Sequence, residues 1–424
     1  MKVDRSRGPE IKKITKLNLP EIKKTTLTNG VKLIEINIGT QELVQVEVLY
    51  TGGRLNEQKK GFARATARLS KEGTVTYTSS EIAEKIDFYG ANISSGASLD
   101  YSFVKLFVLS KFLYKVLPIF SEIIYSPIFP KEELQKYKTN SLQRLIVEQS
   151  KSEIMAYKTL TEKLYGQDHP YGYNSSKEIY DSINTEDLIN YHKNAFTPDK
   201  CTIIISGSIS EDIRQLVIDT FGQKLKGGKP LEYKKPIKTI HNEKIFISTG
   251  TKLQSSIKIG RRLFDRSHPD FIDLFITNTI LGGYFGSRLM TTLREQKGYT
   301  YNIYSSIDMM IYGGYFNIST EVGNEHIEDT IEGIYHEMEI LKNELVSNEE
   351  LEMVKNYLSG NFLNMIDGPF KVAGMAKVVA LNNLSFDFYK RIMDRIQTIT
   401  PIQIRLIAQK YFDKEKMIEV IAGE

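Results

Sequence analysis

The sequence predicts an α+β protein made of two similar halves, each with antiparallel strands on one side and helices on the other. Three observations support this fold class: strand-like and helical segments follow one another along the chain, two patches of the first half recur in the second, and a stretch rich in Lys, Gly and Pro lies between them. The length of 424 residues also exceeds what one ordinary hydrophobic core organises. We therefore expect at least two domains.

The strand-like segments of the first half are rich in β-branched residues. Residues 31–50 are predicted to form two strands joined by a Gly-Thr-Gln turn, and residues 92–109 also have strand character. A short buried strand is predicted to begin at Cys201. Helical periodicity predicts helices that end near residues 71 and 221, and others over 110–125, 131–148, 152–165 and 184–196.

Two short patches recur with nearly the same spacing. The pattern Glu-Glu-Leu-x-x-x-Lys at residues 132–138 reappears 217 positions later at 349–355. The segment 196–207, which runs from Phe196 into an apolar strand, reappears 216 positions later as 412–423. Two patches whose offsets differ by only one residue indicate an internal duplication.

The stretch between the halves has the composition of a solvated linker. We assign residues 1–222 to an N-terminal half, 223–242 to the linker and 243–424 to a C-terminal half. Within the linker, Gly228-Lys229-Pro230 resembles part of a phosphate-binding loop, but it lacks the final Ser or Thr and the upstream spacing of that motif. Nucleotide binding is therefore not expected.

The composition argues against several classes of function. The 56 Lys and Arg against 52 Asp and Glu give a net charge of +4, which is too small to indicate nucleic-acid or membrane binding. No run approaches the roughly 18 apolar residues that a membrane-spanning helix needs, and no secretory signal is visible at the N-terminus. The single cysteine, Cys201, excludes an internal disulfide and fits a reducing compartment. We expect a cytoplasmic protein.

Residues 61–74, GFARATARLSKEGT, resemble the inverted zinc-peptidase motif His-x-x-Glu-His in its Gly-aromatic-Ala and Glu/Lys-Gly-Thr surround. In that motif two His side chains hold the metal and the Glu acts as general base. Here the two ligand positions are Arg64 and Arg68, and the base position is Ala67. Arginine has no acceptor atom and alanine cannot take a proton. The sequence therefore predicts no zinc and no autonomous peptide hydrolysis at this helix.

Together with further patches, this stretch makes the chain resemble the insulinase/mitochondrial-processing-peptidase family over nearly its whole length. The patches are YGQDHPYG at 165–172, FTPD at 196–199, LGGYFGSRL at 281–289 and LREQKGYTY at 293–301. The resemblance implies a processing-peptidase-like fold whose two halves form a clamshell. It also implies that zinc-site and substrate-binding residues have counterparts in this chain.

The third zinc ligand of that family is a Glu about 76 residues beyond the second His, which falls on Arg144 in this chain. The resemblance thus implies that three arginines converge where three ligands would lie and would repel a divalent cation. Such a cluster can pair with buried carboxylates or hold a substrate carboxylate bidentately. The alternative is that Arg64 and Arg68 only make surface ion pairs from one helix face.

Arg294 and Tyr301 match an Arg/Tyr pair that the family carries seven residues apart in its C-terminal half. The resemblance implies that this pair binds the substrate carbonyl or the developing oxyanion, for which a guanidinium and a phenol are suitable donors. The alternative is that Arg294 caps a helix before Gly298 and that Tyr301 packs in a Tyr-rich strand.

Four weaker candidates have simpler interpretations. Glu332, His336 and Glu339 share one face of an acidic helix, which we interpret as solvated rather than metal-binding. Cys201 is expected in the core and His169 as a packed or capping side chain. The glycines of the 281–289 patch lack the order of a dinucleotide fingerprint and predict a flexible turn.

The family resemblance implies the zinc-less subunit of a heterodimeric zinc endopeptidase. Its partner would be a homologous chain with an intact His-x-x-Glu-His motif, so zinc is expected in the partner and no cofactor in this chain. The substrate would be an unfolded or short peptide, bound as an added strand at a sheet edge. Two alternatives stay open: a structural or scaffolding family member in which Arg294 and Tyr301 have no function, and an independent peptide-binding protein.

Overall fold

The computed structural model describes residues 18–222, 242–250 and 253–423. The predicted linker 223–242 lies outside these ranges except for Asn242, as does the Gly228-Lys229-Pro230 segment. Eleven strands lie within the described ranges, and in chain order they are β1 (Lys23–Thr26), β2 (Lys32–Asn37), β3 (Leu43–Thr51), β4 (Asn92–Ala97), β5 (Tyr101–Leu109), β6 (Cys201–Gly207), β7 (Glu243–Ser248), β8 (Gln254–Leu263), β9 (Ile303–Met310), β10 (Gly313–Gly323) and β11 (Ile418–Gly423).

Fourteen α-helices lie within the same ranges, together with a π-helical segment at Met290–Gln296. The α-helices are α1 (Phe62–Leu69), α2 (Ser79–Phe88), α3 (Leu113–Tyr125), α4 (Lys131–Gln149), α5 (Ser152–Tyr165), α6 (Lys177–Ser182), α7 (Thr185–Ala195), α8 (Glu211–Phe221), α9 (Phe271–Gly282), α10 (Ile327–Asn343), α11 (Asn348–Met365), α12 (Pro369–Leu381), α13 (Asp387–Thr398) and α14 (Pro401–Tyr411).

The strands form two sheets with the same topology. The first sheet has the order β1-β2-β6-β3-β5-β4 and the second has β7-β11-β8-β10-β9. Without β1, the two orders correspond strand by strand, including one parallel pair in each sheet, β2 with β6 and β7 with β11. The predicted α+β class and the internal duplication are confirmed, because the recurring patches fall on α4 and α11 and on β6 and β11.

Each sheet is covered on one face by helices of its own half and on the other by a helix from the opposite half. Val372, Ala373 and Ala376 of α12 pack on Ile34 and Ile204 of the first sheet. In the reverse direction, α5 packs on β8 and β11 of the second sheet. The two halves therefore exchange one helix each, and their central strands are buried on both faces.

An ion pair joins each exchanged helix to the sheet that it covers, and in each pair the residue on the sheet is buried. Glu47 of β3 receives a bond of 2.9 Å from Lys377 of α12, and Lys258 of β8 lies 3.4 Å from Glu153 of α5. Glu47 is aligned with Ile204 in the register of the first sheet, and Lys258 is aligned with Val420 in the second. Because residues 204 and 420 correspond in the repeat, the two charged residues occupy equivalent positions with opposite sign.

Candidate functional site

Helix α1 presents Arg64 and Arg68 to solvent and buries Ala67 completely. Its first turn is capped by the half-buried carboxylate of Glu57, which accepts bonds from the backbone N–H groups of Gly61 at 3.2 Å and Ala63 at 2.7 Å. Burial raises the pKa of Glu57, while a hydrogen bond from Tyr173 and these N–H groups act in the opposite direction. The frame of the zinc-peptidase helix is thus kept without its donor atoms.

A zinc ion does not fit the side chains at this place. Guanidinium groups offer only N–H donors and a positive charge, and a buried methyl group offers no lone pair. Across the part of the chain that the structure describes, no three His, Cys, Asp or Glu side chains cluster as metal ligands.

Helix α4 lies beside α1, and the loop that precedes α4 meets the loop that follows α1. The carbonyl of Gly73, just after α1, accepts a bond of 3.1 Å from the N–H of Ile128, just before α4. Arg64 and Arg68 lie near Tyr137 of α4, where they act against the burial that raises the pKa of this phenol to about 12. Arg144 is exposed and follows Tyr137 by seven residues, which places it two turns along the same face.

The sequence suggests two kinds of partner for the three arginines, buried carboxylates and surface acidic residues, and the described residues provide neither. They do not pair with buried carboxylates, because Arg64, Arg68 and Arg144 are all exposed. Within the described ranges they also form no surface ion pair; the acidic side chains of α4 that are paired, Glu133 and Glu148, are held by lysines.

Arg294 and Tyr301 lie together on the second half. The guanidinium carbon of Arg294 is 5.5 Å from the ring centroid of Tyr301 and 4.6 Å from that of Phe285, so the cation lies near two aromatic rings. Among the described residues Arg294 forms no ion pair. Contacts with aromatic faces leave the in-plane N–H groups of a guanidinium available to a carbonyl or carboxylate.

The backbone explains why these residues meet. Arg294 belongs to the π-helical segment, where the N–H of Lys297 bonds the carbonyl of Thr292. Gly298 then adopts a φ of +68°, which turns the chain toward β9. The alternative in which Tyr301 packs within a strand is wrong, because 88% of this residue is exposed and it precedes β9.

A cavity of about 390 Å³ adjoins this pair. Tyr301 and Tyr304 line it from the second half, and Glu153 of the exchanged helix α5 lines it from the first. Buried Lys258 contacts both Glu153 and Ser319 of the lining. Both halves therefore contribute to the surroundings of the Arg/Tyr pair.

Cys201 and His169 occupy the positions that the sequence indicates. Cys201 is buried at the start of β6, where burial raises its thiol pKa to about 12. His169 is buried, stacks on Tyr165 and accepts a bond of 3.0 Å from the N–H of Tyr171 through Nδ1. Both are structural residues.

The acidic face lies on α10 as predicted. Glu332, His336 and Glu339 line an open cavity of about 1080 Å³, and Glu339 pairs with Lys342 at 2.5 Å. The glycine-rich turn after α9 is also found, because α9 ends at Gly282.

Two residues of the site, Phe285 and Glu57, were not predicted from the sequence. Phe285 lies inside the 281–289 patch, but nothing in the sequence connects it with Arg294 nine residues later. Glu57 precedes the α1 motif by only a few residues, and an acidic residue before a helix is a recognisable capping signal.

No helix in the described ranges combines the length and apolar character required to cross a membrane.

Comparisons with known proteins extend over most of the chain. Residues 33–173 match the family described as "Insulinase (Peptidase family M16)", and residues 182–358 match the one described as "Peptidase M16 inactive domain".

Curated relatives and a solved structure agree with these matches. The "uncharacterized zinc protease YmxG" of Bacillus subtilis is 27% identical over 346 residues, covering 81% of this chain and 84% of the relative. The "non-peptidase homolog YmxG" of Helicobacter pylori is 24% identical over 265 residues, covering 60% and 59%. The crystal structure of a peptidase M16 inactive domain from Pseudomonas fluorescens shares the fold, with a TM-score of 0.86, 24% identity and coverage of 95% and 98%.

Proposed function

Because this chain belongs to the insulinase family of peptidases, we propose that it is the zinc-less subunit of a heterodimeric zinc endopeptidase. The partner is a homologous chain with an intact His-x-x-Glu-His motif, and it holds the zinc. This chain helps to enclose an extended peptide and supplies Arg294 and Tyr301 to the reaction. Cytoplasm remains the expected compartment, on the strength of the single cysteine.

The main support for this proposal is a difference between the two halves: the first lacks the metal-binding residues of the zinc motif and the second has the Arg/Tyr pair. In the first half the metal-binding chemistry has been replaced by Arg64, Ala67 and Arg68. In the second half Arg294 and Tyr301 lie side by side; Tyr301 is exposed, Arg294 is half-buried, and Arg294 has no competing ion pair among the described residues.

The chemistry assigned to the pair is the binding of a carbonyl oxygen as it becomes an oxyanion. A charged guanidinium and a phenol are both hydrogen-bond donors, and Phe285 limits the positions that the guanidinium can take. Loss of one such donor typically reduces a rate by about 10²–10³. The zinc of the partner would activate the attacking water, a step for which this chain contributes no ligand.

The sheet edges are suited to an extended peptide. In the described sheets β4 and β9 are edge strands, so each has backbone N–H and C=O groups that no neighbouring strand occupies. Tyr301 lies two residues before β9 begins. A peptide added as a strand would bring its carbonyl groups near the Arg/Tyr pair.

A relative supports the proposal without identifying the partner. The Helicobacter pylori protein of the same family is named as a non-peptidase homolog, which fits a chain of this build without its own cleavage chemistry.

The experiment is reconstitution from separately purified chains. We expect the isolated chain to contain no stoichiometric zinc and to cleave no unfolded peptide. Mixing with a His-x-x-Glu-His chain encoded in the same genome should give a complex with one zinc per heterodimer and peptidase activity above that of the partner alone. Zinc bound in stoichiometric amount by the isolated chain, or activity that is independent of it, would contradict the proposal.

The same complex separates the two alternatives. If this chain is purely structural, the double variant Arg294→Ala/Tyr301→Ala will leave the activity of the complex unchanged. If it is an independent peptide-binding protein, it will bind peptide alone, and no homologous chain will join it or gain activity.

A further inference from the structure

The exposed arginines of α1 and α4 form a cationic surface whose charge is not balanced within the described residues. Arg64, Arg68 and Arg144 have no ion pair there, and no hydrogen bond to a carboxylate. Other exposed cations of the same region do have partners, such as Lys136 with Glu133. A bound anion would balance the charge of these three guanidinium groups.

The three arginines belong to two helices that contact each other. The chain just after α1 is hydrogen-bonded to the chain just before α4, and Arg144 lies on α4 two turns beyond Tyr137. Tyr137 and Ser141 lie on the same face of α4 as Arg144, and the phenol of Tyr137 is within the electrostatic reach of both Arg64 and Arg68. Arg64 and Arg68 therefore lie beside α4, the helix that also carries Arg144.

An extended peptide can lie next to this surface. Helix α1 packs against β4, which is the outermost strand of the first sheet as described. Asn92 is exposed at the start of β4, and Ser94 and Gly96 follow on the same face of the strand. The backbone groups at the free edge of β4 are open to an added strand.

We propose that the surface formed by Arg64, Arg68 and Arg144 binds the carboxylate side chains of an acidic peptide that extends along β4. In this proposal the surface selects peptides by charge at the place where a zinc-bearing relative would hold its metal. Arginine is suited to this role because its planar fork can donate two parallel N–H bonds to one carboxylate. The peptide that this chain prefers is therefore rich in Asp or Glu.

This inference concerns binding by the chain alone and does not depend on cleavage by a partner. Fluorescence anisotropy would compare two labelled unstructured peptides of about twelve residues that differ only in carrying Glu or Gln at four alternate positions. Each peptide would be made with a free and with an amidated C-terminus, so that side-chain carboxylates are distinguished from the terminal one.

The expected result is a preference for the Glu peptide of about tenfold or more at low salt, irrespective of the C-terminus, which weakens as ionic strength rises. The triple variant Arg64→Gln/Arg68→Gln/Arg144→Gln should lose this preference and retain its binding of the Gln peptide. Arg391→Gln, a change at an exposed arginine of α13, is the matched control and should leave the preference intact.

Three outcomes would overturn the inference. They are equal binding of the Glu and Gln peptides, a preference that survives in the triple variant, and a preference that disappears on amidation of the C-terminus. Loss of binding of both peptides with unchanged circular dichroism would also contradict it, because the arginines would then not be discriminating charge. Failure to find a peptidase partner would affect the proposed function only.

Discussion

The substitution Lys377→Met tests whether the exchanged helix α12 is held by a buried charge. Glu47 retains only 3% side-chain exposure, and its bond to Lys377 is 2.9 Å long. Removing the cation leaves a buried carboxylate without its partner, which typically costs about 3–5 kcal/mol. The expected effect is a fall of that size in the free energy of unfolding.

The second half provides a matched comparison. Glu153 occupies the corresponding role opposite Lys258, but its side chain is 53% exposed and lies 3.4 Å away. Lys258 also keeps a contact with Ser319 if Glu153 is lost. Glu153→Gln should therefore reduce stability by about 1 kcal/mol or less.

Urea unfolding followed by circular dichroism would measure both variants, with Glu47→Met/Lys377→Met as a third. Because replacing a buried pair by hydrophobic residues is often neutral, the double variant should recover most of the stability that Lys377→Met loses. Equal destabilisation by Lys377→Met and Glu153→Gln, or a double variant less stable than the single one, would refute the reasoning.

Two further predictions follow from buried or stacked side chains. His192 is half-buried, and desolvation lowers its pKa from 6.5 to about 4. Neutral His192 therefore contributes fully to the free energy of unfolding above pH 6.5, and about 3 kcal/mol of that stability is lost as pH falls to 4. His192→Gln should reduce this slope in thermal unfolding between pH 7 and 4, and an unchanged slope would contradict the assignment. Phe285→Ala should lower the kcat of the reconstituted peptidase about three- to tenfold through a less ordered Arg294, whereas an unchanged kcat would show that the ring does not position it.

The sequence is sufficient to predict the internal duplication, but it does not predict that the two halves exchange helices. The recurring patches predict equivalent strands, and the two sheet orders agree with that prediction. In contrast, the periodicity of α5 and α12 shows only that an apolar face exists. It does not show which sheet that face covers, because the partner strands are distant in sequence.

Polar residues in β3 illustrate the same limit. Gln45 and Glu47 alternate with apolar residues, a pattern that predicts one solvated face. The structure buries both because α12 covers that face and brings Lys377 to Glu47. A long-range partner therefore overrides the local pattern.

The sequence likewise predicts one part of the candidate site and not the other. The loss of metal ligands at α1 is readable from residue identity alone, since it depends on donor atoms rather than on geometry. The stacking of Phe285 on Arg294 depends on the π-helical segment and on the turn at Gly298, which no local pattern specifies.

The most direct test of the central claim is the kinetics of peptide cleavage by the reconstituted heterodimer carrying Arg294→Ala or Tyr301→Phe in this chain. We expect a fall in kcat/KM of about 10²–10³ for Arg294→Ala, a smaller fall for Tyr301→Phe, and no change for Glu295→Ala, an exposed neighbour. Zinc content and heterodimer formation should be unchanged in all three. Full activity with Arg294→Ala in an intact, zinc-loaded heterodimer would contradict the claim that this chain supplies part of the active site.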